Sequence, residues 1–327
     1  MTGLHPTRST AAHLLLLGVV LVWGATFVLI KDALSDVSPL LFNFLRMGLA
    51  ALVLTLLYRR HLRRLSREGW GLGVLAGMFL AAGYQLQTTG LARTTPSRSA
   101  FLTGLVVVFV PFLSLSPRLR SPGALRPAPV AFLGAAIGFA GLALLAIPAV
   151  EPLALRSFRS IGAGELLTIG CAFAFALHLL TLAHASLRVA FQALAAVQIS
   201  TAAVIMAMCL PVFEPHPHFE LSRRFLLAWL IAALLATAAA FSIQSWAQGF
   251  LPASHTALIL ALEPVFAAAT SFLILGERLH GRSLAGAALV LAAIAISELF
   301  PASGLQATAH EAVPLRKAAT IEASLLK

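Results

Sequence analysis

Charge is what this sequence has least of. Only 11% of its 327 residues are Asp, Glu, Lys or Arg, against about a quarter in soluble domains. Acidic residues are scarcer still, 12 against 23 basic ones. A water-soluble chain of this length needs a charged surface, and none can be assembled here. Cysteine is nearly absent: Cys171 and Cys209 each sit inside an apolar run, which excludes a disulfide scaffold and a cysteine-based zinc site. No G-x-x-x-x-G-K-[ST] run is present to cradle a nucleotide phosphate, no H-E-x-x-H to hold zinc, and no G-x-S-x-G to expose a serine nucleophile. The sequence therefore implies no cofactor, no metal and no ATP-driven step.

What fills the space is apolar. Hydrophobic residues make up 59% of the chain and the mean hydropathy is +0.92. About 20 apolar residues in a helix cross about 30 Å of hydrocarbon, and lipid forces the backbone of such runs to bond within itself. Ten runs qualify: 13–34, 39–58, 70–91, 97–115, 130–148, 164–185, 190–212, 225–248, 254–275 and 283–300. The fold class is all-α, a polytopic membrane protein of ten transmembrane helices. The first run reads as a retained span, not a cleaved leader, because it continues past Trp23 to Ile30 with no small-residue cleavage site. Residues 301–327 mix small, polar and charged side chains and read as a disordered cytoplasmic tail.

The net charge of +11 does not signal nucleic acid, since no basic stretch is long enough for a folded basic domain. The arginines sit in short loops: Arg59, Arg60, Arg63, Arg64 and Arg67 between runs two and three, then Arg118, Arg120 and Arg126 between four and five. By the positive-inside rule both loops are cytoplasmic. An even number of spans then places both termini there, in a plasma or inner membrane.

The halves repeat. Displaced by 152 residues, Trp23 falls on Phe175 and Arg46 on Gln198; displaced by 157, Gln87 falls on Gln244, Ser97 on Ser254 and Leu105 on Leu262. Five spans per half is an odd number, so residues 13–148 and 164–300 form inverted repeats, with a substrate site expected between them near the midplane.

With those features in view, the chain resembles the drug/metabolite transporter superfamily, specifically its EamA-type members. The resemblance rests on Trp23-Gly24-Ala25-Thr26-Phe27 with Lys31, on Pro39…Arg46, on Leu262-Glu263-Pro264-Val265-Phe266, on Leu275-Gly276-Glu277-Arg278-Leu279, and on Gly104 to Pro111 as the matching first-half stretch. It implies ten helices, two inverted repeats, a central cavity and transport of metabolites such as amino acids. The first half departs from the pattern, with Ser116-Pro117-Arg118 where the second has Gly276-Glu277-Arg278.

Ionisable groups inside a bilayer cost about 2.5–3.5 kcal/mol each on insertion scales, so Arg46 and Glu263 are the first candidates. Arg46 suits a substrate carboxylate or phosphate; equally it could snorkel or pair with another helix. Glu263, before Pro264, is either a proton-coupling carboxyl or a helix-to-helix tie. Pro264 and Pro111 are expected helix kinks, since proline removes an N–H and clashes with the carbonyl four residues back. Tyr84 and Gln87 share a face of span three, and Gln244 and Gln248 share a face of span eight; these four form a candidate substrate lining, with interhelical bonding as the alternative. Trp23, Trp246 and His178 are further wall candidates, each with packing as the alternative. Glu214, His216, His218 and Glu220 lie in a loop whose prolines favour an extended backbone over a metal cage. Gly73…Gly77 and Gly134…Gly138 allow close helix contact, within the chain or in a homodimer.

The expected function is secondary transport of a small solute, an exporter of amino-acid-like or amphipathic compounds working by alternating access. The expected partners are that small-molecule substrate and membrane lipid. The alternatives are an intramembrane enzyme, for which no catalytic motif is found, and an assembly subunit or channel.

Overall fold

The computed structural model describes residues 8–94, 96–120, 126–146, 162–266, 269–270 and 281–299. The expected tail and the Leu275–Leu279 motif lie outside the described residues. In chain order the helices are α1 (Arg8–Ala33), α2 (Pro39–Leu57), the short α3 (Arg59–Leu62), α4 (Arg67–Arg93), α5 (Pro96–Thr103), α6 (Val106–Leu113), α7 (Pro129–Ala146), α8 (Ala163–Ala185) and α9 (Phe191–Phe213). Then come α10 (Arg223–Ala233), a π-helical turn (Leu234–Ala239), α11 (Ala240–Ala247), α12 (Ala253–Leu260) and α13 (Gly281–Leu299). Among the described residues six helices are long and apolar enough to cross a membrane: α1, α2, α4, α8, α9 and the continuous 223–247. Shorter apolar helices, Phe101–Leu113, Pro129–Leu144, Ala253–Phe266 and Leu284–Ile296, stand at the places of the other four expected spans. The protein is an all-α, multi-pass membrane protein.

Side chains that water would repel face outward. Leu52, Leu56 and Leu57 on α2, and Val204, Met208, Val212 and Phe213 on α9, are exposed, Phe213 by 73%. In an aqueous fold such a rim would be an aggregation surface; hydrocarbon accepts it.

The fourth and ninth spans are both interrupted. Helix stops at Gly104–Leu105 and again at Ala261–Leu262, where tight three-residue bonds replace the α pattern, Val107 N–H to the Gly104 carbonyl at 3.0 Å and Leu262 N–H to the Ile259 carbonyl at 3.1 Å. The two breaks sit 157 residues apart, the displacement that relates Gln87 to Gln244. Pro264 follows the second break by two residues, as its clash with the Leu260 carbonyl requires. Pro111 does not mark the first. It is buried inside α6, and the interruption falls upstream at Gly104, where a Cβ would stand 2.3 Å from Leu142 of α7. Close packing on α7 fixes that break, not the proline.

Packing is closed under exchange of the halves. α2 lies on α9 and α7 on α13, each element facing its own repeat-mate. The α4–α8 contact has its counterpart in α1 against α10 and α11. Glycines set the approach of α4: a Cβ on Gly73 would lie 2.6 Å from Val197, and one on Gly77 2.5 Å from Thr201. On α7 the tight crossing is at Gly141, 2.7 Å from the Gly286 carbonyl of α13, whereas Gly134 and Gly138 have ordinary clearances of 3.6 and 3.4 Å.

One end of the bundle is stapled across the halves. Val37, before α2, pairs antiparallel with Phe219, before α10, through Ser38 N–H to the His218 carbonyl at 3.0 Å and Glu220 N–H to the Asp36 carbonyl at 2.6 Å. The Glu214 carboxylate accepts from Leu40 N–H at 2.9 Å and Leu41 N–H at 3.2 Å, capping α2, whose Ser38 makes no side-chain cap bond. Asp36 accepts from Arg224 Nε at 2.9 Å and Ser222 Oγ at 2.6 Å, with a second, shorter contact to Arg224 Nη2. The hydrogen bonds of Arg224, then that of Ser222, pull the Asp36 carboxyl from 3.8 down to about 2. The Glu214–Glu220 loop thus ties helices together, and no cluster of three metal-ligating side chains occurs among the described residues.

Candidate functional site

A cavity of about 110 Å³ lies between the halves. The first half contributes Trp23 and Thr26 from α1, Arg46 from α2, Tyr84, Gln87 and Thr88 from α4, and Thr103 and Gly104 at the first helix break. The second contributes Phe175 and His178 from α8, Phe241 and Gln244 from α11, and Leu260, Ala261, Glu263 and Pro264 around the second break. Both interruptions border the cavity.

Arg46 is only 4% exposed and is held on two nitrogens. Nε donates to Thr237 Oγ1 at 2.6 Å; Nη2 donates to the Tyr84 hydroxyl at 3.1 Å and to the Ala236 carbonyl at 3.3 Å. The guanidinium carbon stands 4.5 Å over the Tyr84 ring, a cation–π placement. Among the described residues Nη1 has no hydrogen-bond partner.

The π turn explains why Ala236 can accept. Its widened geometry sends Ala240 N–H to the Leu235 carbonyl, so the Ala236 carbonyl that an α-helix would consume is left for Arg46 and for Trp23 Nε1, which donates to it at 2.8 Å. Thr237 donates its own hydroxyl to the Ala232 carbonyl, five residues back, at 2.7 Å. π bulges gather at functional sites; this one docks the first half's arginine and tryptophan onto the second half. The matching α4 stretch in the first half is continuous α-helix.

Rings form the apolar wall. Tyr84 packs edge-on against Phe175 and Phe241 at centroid distances of 5.5 and 6.1 Å, and Phe241 also meets Trp23 at 5.6 Å and His178 at 5.9 Å. Against this wall stand polar groups. Asn43 Nδ2 donates to Thr88 Oγ1 at 3.0 Å and to the Tyr84 carbonyl at 3.3 Å. Gln87 Nε2 is at the limit of a bond to Thr103 Oγ1, 3.5 Å. Gln244 is 1% exposed and its Oε1 is buried with no partner among the described residues. Glu263 faces the same cavity as Arg46.

The sequence expectations divide. Trp23, Arg46, Tyr84, Gln87, His178, Gln244, Glu263 and Pro264 come together on one cavity. Trp246, Gln248 and Pro111 do not. Trp246 lies two residues past Gln244, on the other side of α11, and packs on Phe250 at 5.0 Å beside Leu17 and Phe101. Gln248 shares Gln244's face but stands one turn further along, where its Nε2 donates to the Leu179 carbonyl at 3.1 Å. Sequence reasoning passed over Thr237, Asn43, Thr88, Thr103 and Phe175. Two carried a signal, Phe175 as the repeat-mate of Trp23 and Asn43 one turn before Arg46.

Broken helices from two halves around a partly polar cavity between them fit a membrane transporter architecture. The chain belongs to the EamA-like transporter family, whose model matches it twice, over residues 10–147 and 162–299. Among curated proteins it is 30% identical over 299 residues to an uncharacterized transporter of Archaeoglobus fulgidus, covering 91% of this chain and 89% of that one. It is 24% identical over 287 residues to the uncharacterized transporter YoaV of Bacillus subtilis, covering 85% and 94%. A solved crystal structure superposes with a TM-score of 0.68 at 18% identity, covering 88% of this chain and 98% of the other, which establishes a shared fold.

Proposed function

We propose that this protein is a gradient-driven exporter of a small amphipathic solute bearing an acidic group, working by alternating access between its two halves. The observation that carries the reading is Arg46. Its guanidinium is immobilised on Nε and Nη2 by Thr237, Tyr84 and Ala236, while Nη1 has no hydrogen-bond partner among the described residues, and Arg46 lines a cavity that both halves wall. A cation so held is preorganised for a carboxylate or phosphate oxygen, and the aromatic wall suits an apolar portion. Glu263, on the same cavity, supplies a carboxyl that can exchange a proton, so the driving gradient is one of protons. The arginine-rich loops support a plasma or inner membrane with both termini cytoplasmic.

Flux in proteoliposomes tests this. Wild-type protein moves acidic amphipathic solutes down an imposed pH gradient, Glu263→Gln retains exchange but loses dependence on the gradient, and Gln87→Ala with Gln244→Ala alters which solutes move or how fast. Gradient dependence that survives in a normally folded Glu263→Gln protein removes Glu263 as the coupler. Wild-type selectivity in the double glutamine variant removes those residues from the lining.

A further inference from the structure

Polar contacts between α8, α9 and α11 run in one direction, and that direction ends at the cavity. Ser245 Oγ lies 2.6 Å from the Phe241 carbonyl, which can only accept, so the single hydroxyl proton is spent there. The Ser245 oxygen must then accept at its other contact, 2.9 Å from Gln198 Nε2. This orients the Gln198 amide without ambiguity of flip and turns its Oε1 toward His178 Nε2, 2.7 Å away. An amide oxygen only accepts, so Nε2 carries the proton, and in the neutral ring Nδ1 is a bare acceptor. Among the described residues Nδ1 has no partner, and His178 lines the cavity. Gln198 and Ser245 are themselves buried, 0% and 1% exposed, so no water competes for their bonds.

Gln244 lines the same cavity, but its amide oxygen is sealed from it and has no partner among the described residues. On α11 it lies between Phe241, which packs on His178, and Gln248, which donates to the Leu179 carbonyl.

We infer that the α8 side of the cavity is a donor-reading subsite: it takes an N–H or O–H group of the transported solute on His178 Nδ1, and Gln198 is the positioning residue that fixes the imidazole tautomer. The inference rests on the acidic-solute reading of Arg46 and adds a second pole, so the solute carries a hydrogen-bond donor as well as an acid. The repeat does not demand this. The position equivalent to Gln198 is Arg46 itself, so the halves present different chemistry to one cavity.

The probes are matched pairs, each apolar amino acid and its deaminated carboxylic acid, for instance phenylalanine and 3-phenylpropanoate. Thermal stabilisation of the purified full chain in nanodiscs reads binding. Wild type prefers the amino member by roughly tenfold or more, and in Gln198→Leu the preference falls toward unity. Binding of neither member sinks the acidic-solute reading and the inference with it. Binding of both members equally leaves the acidic-solute reading standing and overturns the inference alone. The tautomer is read separately by ¹⁵N resonances of labelled imidazoles, with His178→Gln identifying the signal. A bare Nδ1 is expected in wild type and a tautomer mixture in Gln198→Leu or, should that variant not fold, in Ser245→Ala. A protonated Nδ1 in the neutral wild-type ring overturns the inference.

Discussion

At the scale of single residues, the fold's problem is one guanidinium in a membrane interior. Arg46 carries a charge that hydrocarbon rejects, and the structure answers with acceptors on two helices and an aromatic face. Arg46→Lys keeps the charge but reduces a planar fork to a point donor. The expected outcome is a KM for acidic solutes raised about tenfold, with a smaller change in turnover, measured by flux against solute concentration. A drop in melting temperature with unchanged KM would show that Arg46 serves structure alone. Thr237→Val is nearly isosteric and isolates the dock. It removes the acceptor of Arg46 Nε and the hydroxyl that closes onto the Ala232 carbonyl. A buried donor left without a partner costs about 1–3 kcal/mol, so the variant melts measurably below wild type in detergent.

At the scale of elements, glycine determines how near α4 comes to α9. Gly77→Leu forces a side chain into Thr201 and the Gln198 carbonyl, where even a Cβ stands at 2.5 and 2.6 Å. Overpacking of that kind costs about 1–3 kcal/mol and also disturbs the helix that presents Gln198. Gly71→Ala, on the same helix, meets nothing within 4 Å and is the control, with a melting temperature near wild type. The apolar runs were long enough to make all ten spans legible, and Pro264 announced the second helix break. The π turn was not legible. Leu234–Ala239 reads Leu-Leu-Ala-Thr-Ala-Ala, a good α-helical sequence, and its extra residue is accommodated by the Thr237 hydroxyl within the turn and by Trp23 and Arg46 from outside it. Nor was the break at Gly104: it packs on Leu142 of α7, distant in sequence, and Pro111 lies seven residues downstream inside α6. The same reason covers the site. Side chains on one helix face could be grouped by spacing, which found Tyr84 with Gln87; residues facing each other across helices, such as Gln198 and His178, could not.

At the scale of the whole molecule, the proposed alternating access requires that the two ends of the cavity open in turn, and a staple of backbone and charge joins the halves at one end of the bundle. The charged part is insensitive to ordinary pH. Because the Asp36 carboxyl is lowered in the folded protein, its contribution is fully present above its ordinary value of 3.8 and is lost as pH falls through about 2. Melting of wild type and Asp36→Asn should therefore differ by a constant amount from neutral pH down to about 4, and converge below. A difference that disappears between pH 7 and 5 would mean that another group controls the staple.

The backbone part permits a sharper test. Bonds flank the Val37–Phe219 pair on both sides, Ser38 N–H to His218 and Glu220 N–H to Asp36, which makes it the non-hydrogen-bonded position of an antiparallel ladder. Such residues have Cα atoms about 4.5 Å apart, within the reach of a disulfide. Val37→Cys with Phe219→Cys, in a background where Cys171 and Cys209 are alanine, should therefore cross-link on mild oxidation without moving the helices. The covalent bond joins the half that holds Arg46 to the half that holds His178, at the end where they already touch. If transport requires these loops to part, oxidised protein binds solute from the opposite side but does not move it, and reduction restores flux in the same vesicles. Undiminished flux through fully cross-linked protein would place the moving boundary elsewhere, between elements that this staple does not join.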